Sequence, residues 1–232
     1  MVNENDIKEW YNERHRTLKE NAWRPYEAYP IFLDYLNVKS GNKLLDVGCG
    51  VGYLLKAAEQ RGLQTYGVDI SEEAIKITKN ISKNSIASVD KGEYLKFENE
   101  TFNYVTCIGA LEHFLDMYKA LQEIKRVSKK DATILIVVPN IDNFFWKKND
   151  NPGTEQKDIN ENLFSLKEWK EIFYQAGFKI LDIHQDKWFM KCIHPFSSIN
   201  PYKILKDIVK KVVWIFLPLD KTYQFIFVMN KK

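Results

Sequence analysis

The chain has 232 residues, 45% of them apolar, which is enough for a well-packed domain and too many for a disordered segment. Its 34 basic residues nearly balance 31 acidic ones, and a net charge of +3 gives no strong nucleic-acid signal. Cys49, Cys107 and Cys192 are far apart and odd in number, which excludes a disulfide framework and a CxxC zinc site and points to a reducing, cytoplasmic setting.

The N-terminal MVNENDIKEWYNERH is polar and carries no apolar h-region, so no secretory signal is expected. No apolar run reaches the roughly 18 residues that a membrane-spanning helix needs. Residues 1–40 read as a helical region rich in aromatic and basic side chains, among them Trp10, Tyr11, Trp23 and Arg24. KLLDVG (43–48) is a short apolar strand ending in glycine, followed by the helical spacing of LLKAAEQRG. QTYGVDI (64–70) is a second strand, and SEEAIKITKNISKN opens a helix with Ser71 as its cap. FNYVTCIGA (102–110) reads as a buried strand, FLDMYKALQEIKRVS as an amphipathic helix, and ATILIVVPN (132–140) as a central strand. SLKEWKEIFYQAGF is a helix from Ser165 to Gly177, then KILDIHQ is a strand. YQFIFVMNKK is a last strand, expected to run antiparallel.

Strands alternating with helices of this length imply right-handed crossovers and a doubly wound α/β fold. The stretch 188–222 breaks that rhythm. Within it YKILKDIVKKVVWIFL sets Ile204, Leu205, Ile208, Val209, Val212 and Val213 on one helical face and most of its lysines on the other. NPY at 200–202 reads as a turn.

The glycines of LLDVGCGVGY (44–53) ask which ligand the backbone approaches. A dinucleotide fingerprint needs GxGxxG, and its third glycine is here Tyr53. What stands instead is Asp46 before the glycines and Asp69 at the end of the next strand. A carboxylate at Asp69 suits the hydroxyls of NAD or of any adenosine with a free ribose.

LLDVGCGVGYLL, GVDIS, FNYVTCIGALEHFLDMYKALQEIKRV and ILIVVPN, in that order, resemble the class I S-adenosylmethionine-dependent methyltransferases from about residue 43 to 183. The resemblance implies a Rossmann-like, mostly parallel seven-stranded sheet with an antiparallel last strand. It divides the chain into an N-terminal helical lid (1–40), a cofactor-binding core (41–187), an inserted helical segment (188–222) and the last core strand (223–232). It implies S-adenosyl-L-methionine as cofactor, S-adenosyl-L-homocysteine as product and no metal. The backbone of Gly48, Cys49 and Gly50 would line the methionine and ribose, and Asp46 would orient the turn and the cofactor's ammonium. Asp69 would hold the ribose diol, Ile70 the adenine face and Asp90 the adenine amino group, while the carbonyls of Ile108 and Gly109 would receive the ammonium. By analogy Tyr11 would approach the methyl group and Arg24 the carboxylate, against the simpler reading that Trp10, Tyr11 and Trp23 pack a helix on the sheet. The family's Pro-Gly-Gly turn is here KKDA (129–132).

For the chemistry, His113 is the candidate base, since its ordinary pKa of about 6.5 suits proton transfer near neutrality; a purely structural role is its rival. Glu112 would hold the cofactor or cap the next helix. His184 reads as a sheet residue and His194 as a minor candidate for facing the acceptor. The absence of an (N/D)PP(Y/F) motif favours an oxygen, less so a nitrogen, on a small-molecule or glycan acceptor. An RNA methyltransferase acting on a modified tRNA nucleoside and a non-catalytic cofactor binder are the alternatives. For residues 202–217 a peripheral membrane contact, a pocket cover and a homodimer contact stay open.

Overall fold

The computed structural model describes residues 3–21, 24–144, 146, 153, 154, 159–188 and 200–232. Trp23, Cys192 and His194 lie outside them. Seven strands form one sheet: β1 (Lys43–Val47), β2 (Gln64–Asp69), β3 (Ile86–Val89), β4 (Phe102–Ile108), β5 (Ser128–Pro139), β6 (Phe178–Gln185) and β7 (Gln224–Lys231). Their spatial order is β3-β2-β1-β4-β5-β7-β6. β7 enters between β5 and β6 and runs antiparallel to both, while β1 to β5 pair in parallel. The fold is the doubly wound sheet expected from the sequence, with its strand order reversing beside β1.

Helices cover both faces. Those named here are α1 (Glu4–Leu18), α2 (Pro30–Tyr35), α3 (Tyr53–Gln60), α4 (Glu72–Ile81), α5 (Met117–Val127), α6 (Leu166–Gln175) and α7 (Pro201–Phe216). Successive strand residues point to opposite faces. Leu45, Val47 and Val105 therefore join α5 and α6 in one core, with Trp169 and Phe173. Leu44, Tyr104 and Leu135 join α2 and α3 in the other, with Phe32, Leu54 and Leu55. Both sides of the central strands are dry, which is why their sequences are continuous apolar runs.

Local signals set most boundaries. The Ser71 hydroxyl accepts from the Ala74 amide at 3.1 Å and opens α4. Ser165 and Glu168 form a reciprocal capping box on α6. Asp116, not Glu112, caps α5 by accepting from the Lys119 amide at 2.9 Å. Asn200 caps α7, with Pro201 in its first turn, so NPY starts a helix rather than a free turn. KKDA is strand, because β5 begins at Ser128 directly after α5. β3 escaped the sequence reading: four residues of an exposed edge strand carry no distinctive apolar pattern.

β7 pairs with a strand on each side and buries Phe225 and Phe227 in the core. Phe227 is fully buried against Phe173, with ring centroids 4.8 Å apart. Phe227→Ala should lower stability by about 3–5 kcal/mol, read as a shift of the urea unfolding midpoint.

Candidate functional site

At the C-terminal ends of β1, β2 and β4 lies a cavity of about 570 Å³. Its floor is the turn after β1. The amides of Gly48 and Cys49 both donate to the Val68 carbonyl, at 2.8 and 3.0 Å, which staples the turn to β2. Gly48 has φ +77°, and a Cβ there would stand 2.5 Å from the Ala110 Cβ. Glycine is required at that position for both reasons. The Gly50 amide donates to Asp69 Oδ2 at 2.9 Å, and the Gly50 carbonyl accepts from the Thr78 hydroxyl at 2.7 Å.

The eleven residues expected to hold the cofactor and the candidate base line this cavity: Tyr11, Arg24, Asp46, Gly48, Cys49, Gly50, Asp69, Ile70, Asp90, Ile108, Gly109 and His113. Asp46 is buried and accepts from the Thr106 hydroxyl at 2.7 Å. Burial pushes its carboxyl up to about 7. Burial also raises Asp69, while His15 and the amides of Ser71 and Gly50 act the other way. Asp90 is tied by its amide to the Asp69 carbonyl at 3.0 Å, and Lys96 lies 3.5 Å from its carboxylate. Arg24 reaches the cavity already engaged within the protein. Its guanidinium donates to Asp186 at 2.5 Å and to Gln224 at 2.7 Å, between the rings of Phe32 and Trp188.

His113 is buried, and burial lowers its pKa. Its Nδ1 lies 2.6 Å from the Asn160 carbonyl oxygen. A carbonyl only accepts, so Nδ1 carries the proton and Nε2 keeps its lone pair in the neutral ring. Asn160 in turn donates to the His113 and Phe114 carbonyls, both at 3.1 Å. Nε2 stands 3.9 Å from Glu112 Oε1. The buried Glu112 Oε2 has no hydrogen-bond partner among the described residues, and burial pushes this carboxyl up to about 8.

Several cavity residues went unselected in the sequence. His15 sits over the site on α1, and its signal was the spacing of Glu4, Ile7, Tyr11 and His15 along one helical face. Tyr29, Trp188, Tyr223 and Gln224 come from three distant segments, so no local pattern joins them. His184 lies on β6, stacked on Tyr35 at 4.1 Å, outside the cavity.

The charge of the lining selects among ligands. Seven acids (Glu4, Asp46, Asp69, Asp90, Glu93, Glu112 and Asp116) face two cations, Arg24 and Lys91. Arg24 is paired with Asp186, and Lys91 with Glu4. A diphosphate finds no unpaired cation among them, whereas a ligand bearing an ammonium and a sulfonium meets carboxylates. Among the described residues no group of three or more His, Cys, Asp or Glu is placed to hold a metal ion.

The Methyltransferase domain family matches residues 18–183, and the chain belongs to it: it is a class I S-adenosylmethionine-dependent methyltransferase by domain and fold. The ubiquinone biosynthesis O-methyltransferase of Hahella chejuensis is 30% identical over 161 residues, which cover 65% of this chain and 64% of that protein, just under two thirds of its length. In fold, the chain is similar to one of the Haloferax volcanii complex between the Trm112 methyltransferase activator and a methyltransferase. The TM-score is 0.71 at 18% identity, over 98% of this chain and 96% of that one. It is also similar to Haemonchus contortus phosphoethanolamine N-methyltransferase 2 in complex with S-adenosyl-L-methionine. There the TM-score is 0.63 at 19% identity, over 99% of this chain and 57% of that one.

The raised carboxyls set a pH dependence. Asp46 moves from 3.8 to about 7 and Glu112 from 4.5 to about 8, so over that window the native state holds protons that the unfolded chain has lost. Their contribution is full at low pH and is lost as pH rises through the folded values. The contribution of these two carboxyls should therefore fall from about pH 5 to about pH 8, while the lowered His15 and His113 act the other way over part of that range. Asp46→Asn with Glu112→Gln should flatten that fall, measured as urea midpoints across the range.

Proposed function

We propose that the chain transfers a methyl group from S-adenosyl-L-methionine to a hydroxyl oxygen of a small-molecule or glycan acceptor. The observation that carries this reading is the fixed His113 tautomer, with a bare Nε2 in a cavity lined by carboxylates. A hydroxyl must lose its proton as it attacks carbon, and an amine held neutral needs such a base less.

When bound, the cofactor supplies an electrophilic methyl carbon on a positively charged sulfur. The Gly48–Gly50 backbone would lie against its methionine and ribose, Asp46 and the Ile108 and Gly109 carbonyls would face its ammonium, and Asp69 would accept from its ribose hydroxyls. Ile70 and Asp90 would hold the adenine. Tyr11 and the α1 face bearing Ile7 and His15 would close over it and exclude water. In this reading residues 1–40 act as the lid on the 41–187 core. Arg24 is better placed to tie that lid to the end of β6 than to meet the cofactor's carboxylate, since Asp186 occupies its guanidinium.

For the acceptor, His113 Nε2 takes the hydroxyl proton while the Asn160 carbonyl keeps Nδ1–H in place. Glu112, beside Nε2, stabilises the imidazolium when ionised. Tyr29, Trp188 and Tyr223 offer ring faces to a sugar or an aromatic ring. Commitment of Arg24 to Asp186 disfavours a phosphate or carboxylate at that end.

His113→Ala should leave adenosylmethionine affinity within about twofold and cut methyl transfer by about 10²–10⁴-fold. The measurement uses methyl-labelled cofactor, a metabolite extract of cells and identification of the labelled product. An O-methylated product supports the reading; label in RNA, or none in any fraction, would overturn it.

A further inference from the structure

α7 turns its apolar face outward. Leu205, Ile208, Val209, Val212, Ile215 and Phe216 recur at helical spacing, and all are exposed, Phe216 by 78%. The side toward the protein holds Trp214, which is 5% exposed, together with half-buried Ile204 and Asp207. The expected apolar face is thus split: Ile204 turns inward with Trp214, and the remaining stripe is left for solvent. A stripe of this kind on an amphipathic helix calls for a cover.

Charge identifies the cover. Residues 200–222 carry five lysines against two aspartates, which accounts for the whole formal excess of 34 basic over 31 acidic residues in the chain. Lys206 is exposed on the flank of the stripe and Lys203 is exposed on the turn before it, whereas the single acid of the helix, Asp207, is half-buried on the Trp214 side. A second copy packed symmetrically on this helix would bring the same stripe, the same lysines and no exposed acid of α7 to neutralise them. An anionic lipid surface supplies both an apolar layer and negative charge. No helix among the described residues is long and apolar enough to cross a bilayer, so α7 would lie in the surface.

The geometry points to α7 as a docking helix for an anionic membrane surface, with its Leu205–Phe216 stripe in the acyl boundary and Lys206 on its flank at the headgroups. The Gln185 amide donates to the Trp214 carbonyl at 3.5 Å, so the helix is attached at the end of β6, next to the Asp186–Arg24 pair. Trp188 before the helix and Tyr223 after it both line the cavity. Docking sets that end of the cavity toward the lipid surface. This goes beyond the catalytic reading and stands without it.

The test is sedimentation of the full chain with phosphatidylcholine vesicles, with and without about 30 mol % phosphatidylglycerol, at about 0.1 M salt. The wild type should pellet at least tenfold more with the anionic vesicles. Val209→Asp with Val212→Asp should lose that binding by tenfold or more, and Lys203→Glu with Lys206→Glu should abolish the dependence on phosphatidylglycerol. Unchanged melting curves would show that both variants fold. A wild type that stays in the supernatant overturns the proposal, as does an aspartate variant that pellets equally. So does a dimer, seen by light scattering, that the aspartate variant dissociates, because a second copy then covers the stripe.

Discussion

Three segments of the chain meet on Asp69. Its carboxylate accepts from the Gly50 amide and from the Ser71 amide, each at 2.9 Å, and its carbonyl accepts from the Asp90 amide at 3.0 Å. One residue at the end of β2 thereby fixes the glycine turn, the start of α4 and the exit of β3. The arrangement depends on a backbone without side chains at the turn, since a Cβ on Gly48 would strike Ala110. It also depends on keeping a carboxyl in a dry place, where burial opposes its ionisation. A site built this way is poised for a cation: bringing positive charge to Asp46, Asp69 and Glu112 relieves the desolvation that folding imposes on them.

The same economy of charge explains the N-terminal region. Asn12 on α1 accepts from the Ser71 hydroxyl at 2.9 Å, and Lys8 pairs with Glu72 at 2.7 Å. α1 is thus anchored on the helix start that Asp69 organises. Further along, Arg24 is buried between Asp186 and Gln224, joining the same region to β6 and β7. The segment before β1 is held by these polar contacts and, through Phe32 and Leu33 of α2, by the apolar core.

The parallel half of the sheet was legible because each strand there is buried on both faces and each helix announces its cap, as with Ser71 before α4 and Ser165 before α6. The floor of the site was legible for the same local reason: Asp46, Gly48 and Asp69 sit at fixed offsets from strand ends. What escaped depended on tertiary contact. β3 is too short and exposed to pattern. Nothing near Arg24 in sequence announces Asp186, 162 residues away. The His113 tautomer is set by Asn160, in a loop that returns from beyond β5. The outward stripe of α7 is a matter of which face meets Gln185, and periodicity alone cannot choose a face.

Calorimetric titration with S-adenosyl-L-methionine tests the central claim most directly, with NAD as the control ligand. The account predicts binding of the sulfonium cofactor with affinity that rises with pH as Asp46 ionises around its raised value of about 7. It also predicts at least tenfold weaker binding in Asp69→Ala and none of NAD at comparable concentration. Equal affinity in the Asp69→Ala variant, or NAD binding as tightly as adenosylmethionine, would contradict it.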